Sequence, residues 1–332
     1  MFHGRDCRGR WIVLLMAGLA VLAGGQVQVV APGAARITVV LSGDDAPYRE
    51  AAQAAQTKLE QLGYAVYSIR LADFAQGTHD PNTNDDRAFV AIGTPAAVWL
   101  HQKIQPPTPS IYCMVAQPQA AGLMEAPSSP GISTDVPLED QVKLMGEALP
   151  KLHRVGMLYR SDTDKSAAVM KALQAALPGD WRLEAVAVDR CSSAADAIEL
   201  LLSKDVDIVW TAPDSSVYDV ATVRSLLLAG LRRKTPVFGF STAFVKAGAL
   251  VGTGISAKTQ GEQVAALTDQ LLRQRAATSQ PAARPTTQRI TNLPPKFEVA
   301  VNLVVAEQLG LSIPDGLVRR ADVVIRPEKS DK

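Results

Sequence analysis

The sequence predicts an α/β protein of two doubly wound parallel-sheet lobes. Three observations carry that prediction. Short, solid apolar runs alternate with segments of helical periodicity. The alternation runs once from Arg36 and restarts near Leu138. The chain's 332 residues are also more than one ordinary core fills and suit two lobes. Strands that read as continuous apolar runs are buried on both faces, as in parallel sheets covered by helices.

The elements follow in order. Ile37 to Leu41 is an apolar run ended by Ser42-Gly43-Asp44-Asp45. Tyr48, Ala51, Ala52, Ala55, Leu59 and Leu62 then share one helical face, with Gly63 placed to end the helix. Ala65 to Ile69 is a strand, and a polar loop lies around Asp80 to Asp86. Phe89 to Ile92 runs into Gly93-Thr94-Pro95, where Thr94 fits an N-cap and Pro95 the first helical position. Ser110 to Val115 is the fourth strand. In the second series a helix spans Leu138–Leu149, and strands are expected at Arg154–Tyr159, Leu183–Val188, Val206–Trp210 and Pro236–Phe240. Helical stretches at Ser166–Leu177, Ala194–Leu202 and Val220–Leu231 separate them. One more strand (Ala249–Ile255) precedes a helix to about Arg275, and the Ala/Pro/Thr-rich stretch Ala276–Thr287 has loop composition. Phe297 to Leu303, with a helix to Leu309, is a last βα unit.

Composition excludes several functions. Hydrophobic residues make up 47%, charged residues 20% and aromatics 5%, with a formal net charge of +1. No Lys/Arg stripe with interleaved aromatics exists, so nucleic acid is not an expected partner. Arg5, Arg8 and Arg10 precede an apolar run from Trp11 to Ala23, the order of a secretory signal peptide. That run is shorter than the roughly 20 residues a membrane crossing needs. Cleavage suits Gly25 or Ala35, and an uncleaved anchor is the alternative. No cysteine follows Leu22-Ala23-Gly24, so a lipid anchor is not expected. Cys113 and Cys191 form neither a disulfide framework nor a metal spacing, and read as free thiols. The four histidines avoid expected strand ends, and GxGxxG, P-loop and GxSxG motifs are absent, so neither an enzyme nor a cofactor is expected.

Ordered blocks in the second half resemble the ABC-transporter substrate-binding family whose members include aromatic amino-acid binders. They are Arg154-Val155-Gly156-Met157-Leu158-Tyr159, Pro236-Val237-Phe238-Gly239, Val245-Lys246-Ala247-Gly248-Ala249-Leu250 and Val301-Asn302-Leu303. Ala306, Leu309-Gly310-Leu311, Ile313-Pro314 and Arg320-Ala321-Asp322 continue the last block, and Gln117-Pro118 with Ala121-Gly122-Leu123 is a weaker one. The resemblance implies a type I periplasmic-binding-protein fold whose chain crosses between lobes three times. It places the leader at 1–35, lobe one at 36–117 plus 242–289, lobe two at 118–241 plus 290–326, and a tail at 327–332. Three positions depart from the family pattern: Ala116-Gln117, Arg160-Ser161-Asp162 and Ala257-Lys258. They remove an acid and aromatic faces and add a cation, so an aromatic amino acid is not the expected ligand.

In doubly wound sheets ligands sit at the carboxyl ends of strands, where helix N-termini favour anions. The expected ligand-binding residues are therefore Ser42, Asp44, Thr94 and Gln117 in lobe one and Ser161, Asp162, Ser192, Asp214 and Ser215 in lobe two. Thr253 is expected to approach from the late lobe-one strand. Asp214, in Ala212-Pro213-Asp214-Ser215, either takes a ligand ammonium or caps the next helix; Thr94 poses the same choice. The expected protein is a monomeric periplasmic solute-binding protein that takes a small polar ligand, amino-acid-like or a small carboxylate, to the membrane permease of an ABC importer. The alternative is a ligand sensor for a histidine kinase or other membrane receptor.

Overall fold

The computed structural model describes residues 35–78, 86–125, 129–278 and 293–327. The expected leader, most of the loop around Asp80, the linker after Thr278 and the tail beyond Pro327 lie outside the described residues. Chain order begins with β1 (Arg36–Leu41), α1 (Ala46–Gln61), β2 (Ala65–Arg70), the single turn α2 (Leu71–Asp73), β3 (Asp86–Ile92), α3 (Thr94–Lys103), β4 (Ser110–Val115) and β5 (Gly131–Ser133). These strands make one parallel sheet, ordered β2-β1-β3-β4-β5. The three inner strands carry the most apolar runs: Ile37, Val39 and Val40 of β1, Phe89, Val90 and Ile92 of β3, and Ile111 and Val115 of β4 are wholly buried.

The second series is α4 (Leu138–Ala148), β6 (Arg154–Tyr159), α5 (Asp164–Ala176), β7 (Arg182–Ala187), α6 (Ala194–Leu202), β8 (Ile208–Trp210), α7 (Val220–Arg233), β9 (Val237–Gly239), α8 (Thr242–Ala247) and β10 (Val251–Gly254). Then come α9 (Ala257–Thr278), β11 (Glu298–Asn302), α10 (Leu303–Leu309), α11 (Asp315–Arg320) and β12 (Val323–Ile325). The second sheet is ordered β12-β11-β10-β9-β8-β6-β7. All its neighbours run parallel except β10 and β11. Helix α9 returns to the first sheet and packs along α1. A Cβ on Gly261 would lie 2.1 Å from the Ala51 carbonyl oxygen, so only glycine permits this approach. The buried face of α1 is correspondingly Ala51, Ala52 and Ala55, with Leu59 beyond.

Three connections join the sheets, and all run between the same two edges. Strand β5 ends at Ser133, and residues 134–137 lead into α4. Strand β10 ends at Gly254, and Ile255-Ser256 lead into α9. Leu293 forms a parallel bridge with Ile132 beside β5, and the chain continues to β11. Each connection meets the first sheet at its carboxyl edge. Each also meets the second sheet at its carboxyl edge: α4 begins there, with Gln141 bonded to Trp210 at the end of β8, and runs back to the start of β6; β10 ends there; and β11, antiparallel to β10, starts there. The two carboxyl edges therefore face each other across the connections, an arrangement suited to hinge closure.

The structure corrects two of the three expected lobe boundaries, and the third, at 289/290, lies outside the described residues. Strand β5 lies in the first sheet and Leu123 packs in that lobe's core, so the first crossing falls near Thr134 rather than at Pro118. Helix α8 and β10 belong to the second sheet, so the second crossing falls at Ile255 rather than Thr242. A strand followed by a helix reads the same whichever sheet it joins. What decides is Gly252, whose Cβ position is 2.1 Å from the Gly239 carbonyl oxygen and which alone lets β10 close on β9.

Cys113 is buried in β4 and Cys191 is half-buried after β7; both are free thiols. Burial pushes the Cys113 thiol far above its ordinary pKa, which suppresses thiolate chemistry. Cys113 should therefore resist alkylation at neutral pH until the protein unfolds, with Cys191 reacting earlier. Peptide mass mapping of a timed alkylation checks this, and early modification of Cys113 would contradict it.

Candidate functional site

On the first sheet's edge, Ser42 follows β1 directly. Its N–H donates to the Ile92 carbonyl, and its Oγ accepts from the Ala96 N–H at 2.9 Å. Ser42 thereby caps α3 from a different strand. This corrects the expected N-cap at Thr94: Gly93 holds that position and Thr94 is the first helical residue. The reason is steric. Gly93 has φ +92, and a Cβ there would sit 2.7 Å from Ser42 Oγ and 3.0 Å from the Tyr48 ring. The Gly93→Ala protein should lose about 1–3 kcal/mol of stability from backbone strain alone. A denaturant midpoint equal to wild type would refute this packing. Thr94 remains partly exposed beside the first free N–H groups of α3.

Further along the same edge, β4 ends irregularly. Met114 has φ 56 and Gln117 φ 50, and the β4–β5 register slips between Tyr112 and Val115. The Gln117 N–H donates to Asp135 Oδ2 at 2.7 Å. Burial raises the Asp135 carboxyl pKa, opposed by the Gln117 N–H and by Lys165 of the other lobe. Asp44 is exposed and pairs with Arg49 at 3.3 Å.

The second sheet's edge is a charged cluster. After β6, Arg160 Nε donates to Asp162 Oδ1 at 2.8 Å. That contact lowers the Asp162 pKa and raises that of Arg160, to which Asp189 and Asp214 also contribute. Asp189 accepts from Ser161 Oγ at 2.6 Å and from the Ser161 N–H at 2.7 Å, which lowers its pKa. Arg190 Nε donates to the same Ser161 hydroxyl at 3.1 Å. Asp214 Oδ1 accepts from Ser216 Oγ at 2.6 Å and from the Ser216 N–H at 3.0 Å. It does not cap α7; Asp219 does, accepting from the Thr222 N–H at 2.7 Å.

The structure thus gathers Ser161, Asp162 and Asp214 within one electrostatic neighbourhood. Ser192 and Ser215 are exposed on the same loops. Thr253 is only 1% exposed and belongs to the second sheet, which corrects both its expected lobe and its expected access. Arg160, Asp189 and Arg190 stand in the same cluster, although they were not singled out among the expected ligand-binding residues. The signal was available, since Asp189 heads a loop that follows a strand and Arg160 is a cation at a strand end. Among the described residues no group of His, Cys, Asp and Glu could hold a metal ion, and no helix is long and apolar enough to cross a membrane.

Comparison with known proteins agrees with this architecture. A family described as ABC transporter substrate binding protein matches residues 56–325. Among solved structures, an ABC domain in complex with L-Trp from Streptococcus pneumonia is similar at 22% identity and TM-score 0.58, covering 88% of this chain and 100% of that one. A substrate binding protein with adhesive properties from Clostridium difficile, in its ligand-free, open form, is similar at 16% identity and TM-score 0.68, covering 89% and 100%. An arabinose binding protein from Geobacillus stearothermophilus is similar at 12% identity and TM-score 0.55, covering 84% and 99%. Among curated proteins no relative is matched.

Proposed function

Since this chain belongs to the ABC transporter substrate-binding protein family, we propose that it captures a small polar ligand between its facing sheet edges and delivers it to the permease of an ABC importer. The family is a solute-binding one without catalysis, so affinity and lobe closure are the whole of its action. The ligand is amino-acid-like or a small carboxylate, and the protein is an exported, periplasmic monomer. The observation that carries this reading is the set of three crossings between two carboxyl edges, one lined by Ser42, Thr94 and Gln117 and the other by Arg160, Asp162, Asp189 and Asp214.

The charges suit a zwitterion. Arg160 and Asp162 satisfy each other, and among the described residues Asp214 is held only by the neighbouring Ser216. A ligand that brings both an anion and an ammonium can exchange into these contacts as the lobes close, without leaving a charge unpaired.

A thermal-shift screen of amino acids, small carboxylates and nucleosides tests the reading. A ligand at 100 times its dissociation constant should add about 2.7 kcal/mol. Small-angle scattering with that ligand should show a smaller radius of gyration. Binding without compaction would sink closure as the mechanism, and no binder in the screen would sink the ligand class.

A further inference from the structure

Beside the cleft, and adjoining it at Gln117, lies a cavity of about 1000 Å³. One wall is the segment that follows β4, the other is the first half of α5, and the third crossing closes the back. Its lining is mainly apolar. Two of the protein's exposed large hydrophobic residues, Met124 and Leu293, at 49% and 41% exposure, both open into it. Apolar side chains left open in a concavity between two lobes mark a binding surface more often than chance exposure does.

Three charged side chains stand in this lining. Asp135 comes from the first lobe, and Asp164 and Lys165 come from the start of α5. Asp135 and Lys165 interact across the lobes, and with Asp164 the charged lining carries one net negative charge. Burial raises the pKa of the Asp135 carboxyl, and Lys165 across the groove opposes that rise.

We propose that this cavity is a second binding compartment, which takes a small amphiphilic amine: its aliphatic body lies over Met124 and Leu293, and its ammonium meets Asp135 and Asp164. Both lobes contribute walls, so an occupant bears directly on the hinge. This goes beyond the capture of a polar ligand in the cleft and does not depend on it.

Calorimetric titration of the full chain with octylamine, octanol and octanoate, which share one body and differ in the head, tests the proposal. Octylamine should bind at least about ten-fold more tightly than octanol, the equivalent of one charge contact, and octanoate should bind most weakly. Ala168→Lys and Met124→Lys, at exposed cavity positions on opposite lobes, should each weaken octylamine by about ten-fold at an unchanged melting temperature. Asp135→Asn should shrink the preference for the amine over the alcohol. Leu200→Lys, on an exposed apolar residue outside the cavity, should change nothing. Octanoate binding as tightly as octylamine would overturn the proposed head chemistry. Unaltered affinity in the two cavity variants, or an equal loss in the Leu200 control, would overturn the site.

Discussion

Replacing Gln260 by methionine should cost the protein about 2–5 kcal/mol, although the substitution preserves side-chain volume and removes no charge. Gln260 is fully buried in the first turns of α9. Its Oε1 accepts from the Met114 N–H at 3.0 Å, and its Nε2 donates to the Ser133 carbonyl at 3.0 Å. Both backbone groups lie where the β4–β5 ladder has slipped. The positive φ of Met114 turns its N–H out of the sheet, and the amide takes the place of the missing strand partner. A thioether satisfies neither group, and a buried unpaired backbone group costs about 1–3 kcal/mol. The effect should extend to function, because the same amide fixes the ends of two strands on the cleft edge and the start of the helix after the second crossing. Urea denaturation gives the stability and calorimetry with the screened ligand gives the affinity; both should fall. A loss below about 1 kcal/mol would show that the strand ends are held by something else.

How legible this protein was in its sequence depends on the range of the interaction. Strands β1, β3, β4 and β6 could be read because buried parallel strands are solid apolar runs between turn residues, a signal within a few residues. Helix α6 could be read from its caps and period, and the structure places it at Ala194–Leu202, where the pattern expects it. Strands β5, β10 and β12 have only three or four residues each. Their sheet membership comes from partners dozens of residues away and, for β10, from one glycine against another. The site was legible in the same measure. Strand-end loops follow from topology, so Ser161, Asp162 and Asp214 could be expected on one edge, where the structure places them. Whether a residue there is spent on local structure does not follow, since Ser42 caps a helix 54 positions away. Asp135 and Lys165 come together only because the chain crosses between lobes.

Asp214→Asn should weaken ligand binding by roughly ten- to a hundred-fold while leaving the fold intact. Asp214 lies in the loop after β8, and among the described residues its carboxylate accepts only from the Ser216 hydroxyl and N–H. The loop itself is held independently, because the Asp214 carbonyl accepts from the Val217 and Tyr218 N–H groups, and the Tyr218 hydroxyl donates to the Leu158 carbonyl. Asparagine keeps a side-chain oxygen for Ser216 and loses only the charge. If a ligand ammonium is bound here, that charge contributes about 1.5–3 kcal/mol in a site shielded by closure. The neighbouring Asp219 supplies the contrast. It caps α7, so Asp219→Ala should cost about 1 kcal/mol of stability and leave affinity alone. Melting temperature and calorimetric affinity, measured on both variants, separate a binding carboxylate from a structural one. Wild-type affinity in Asp214→Asn would move the ammonium contact to Asp162 or Asp189, the remaining carboxylates around Arg160.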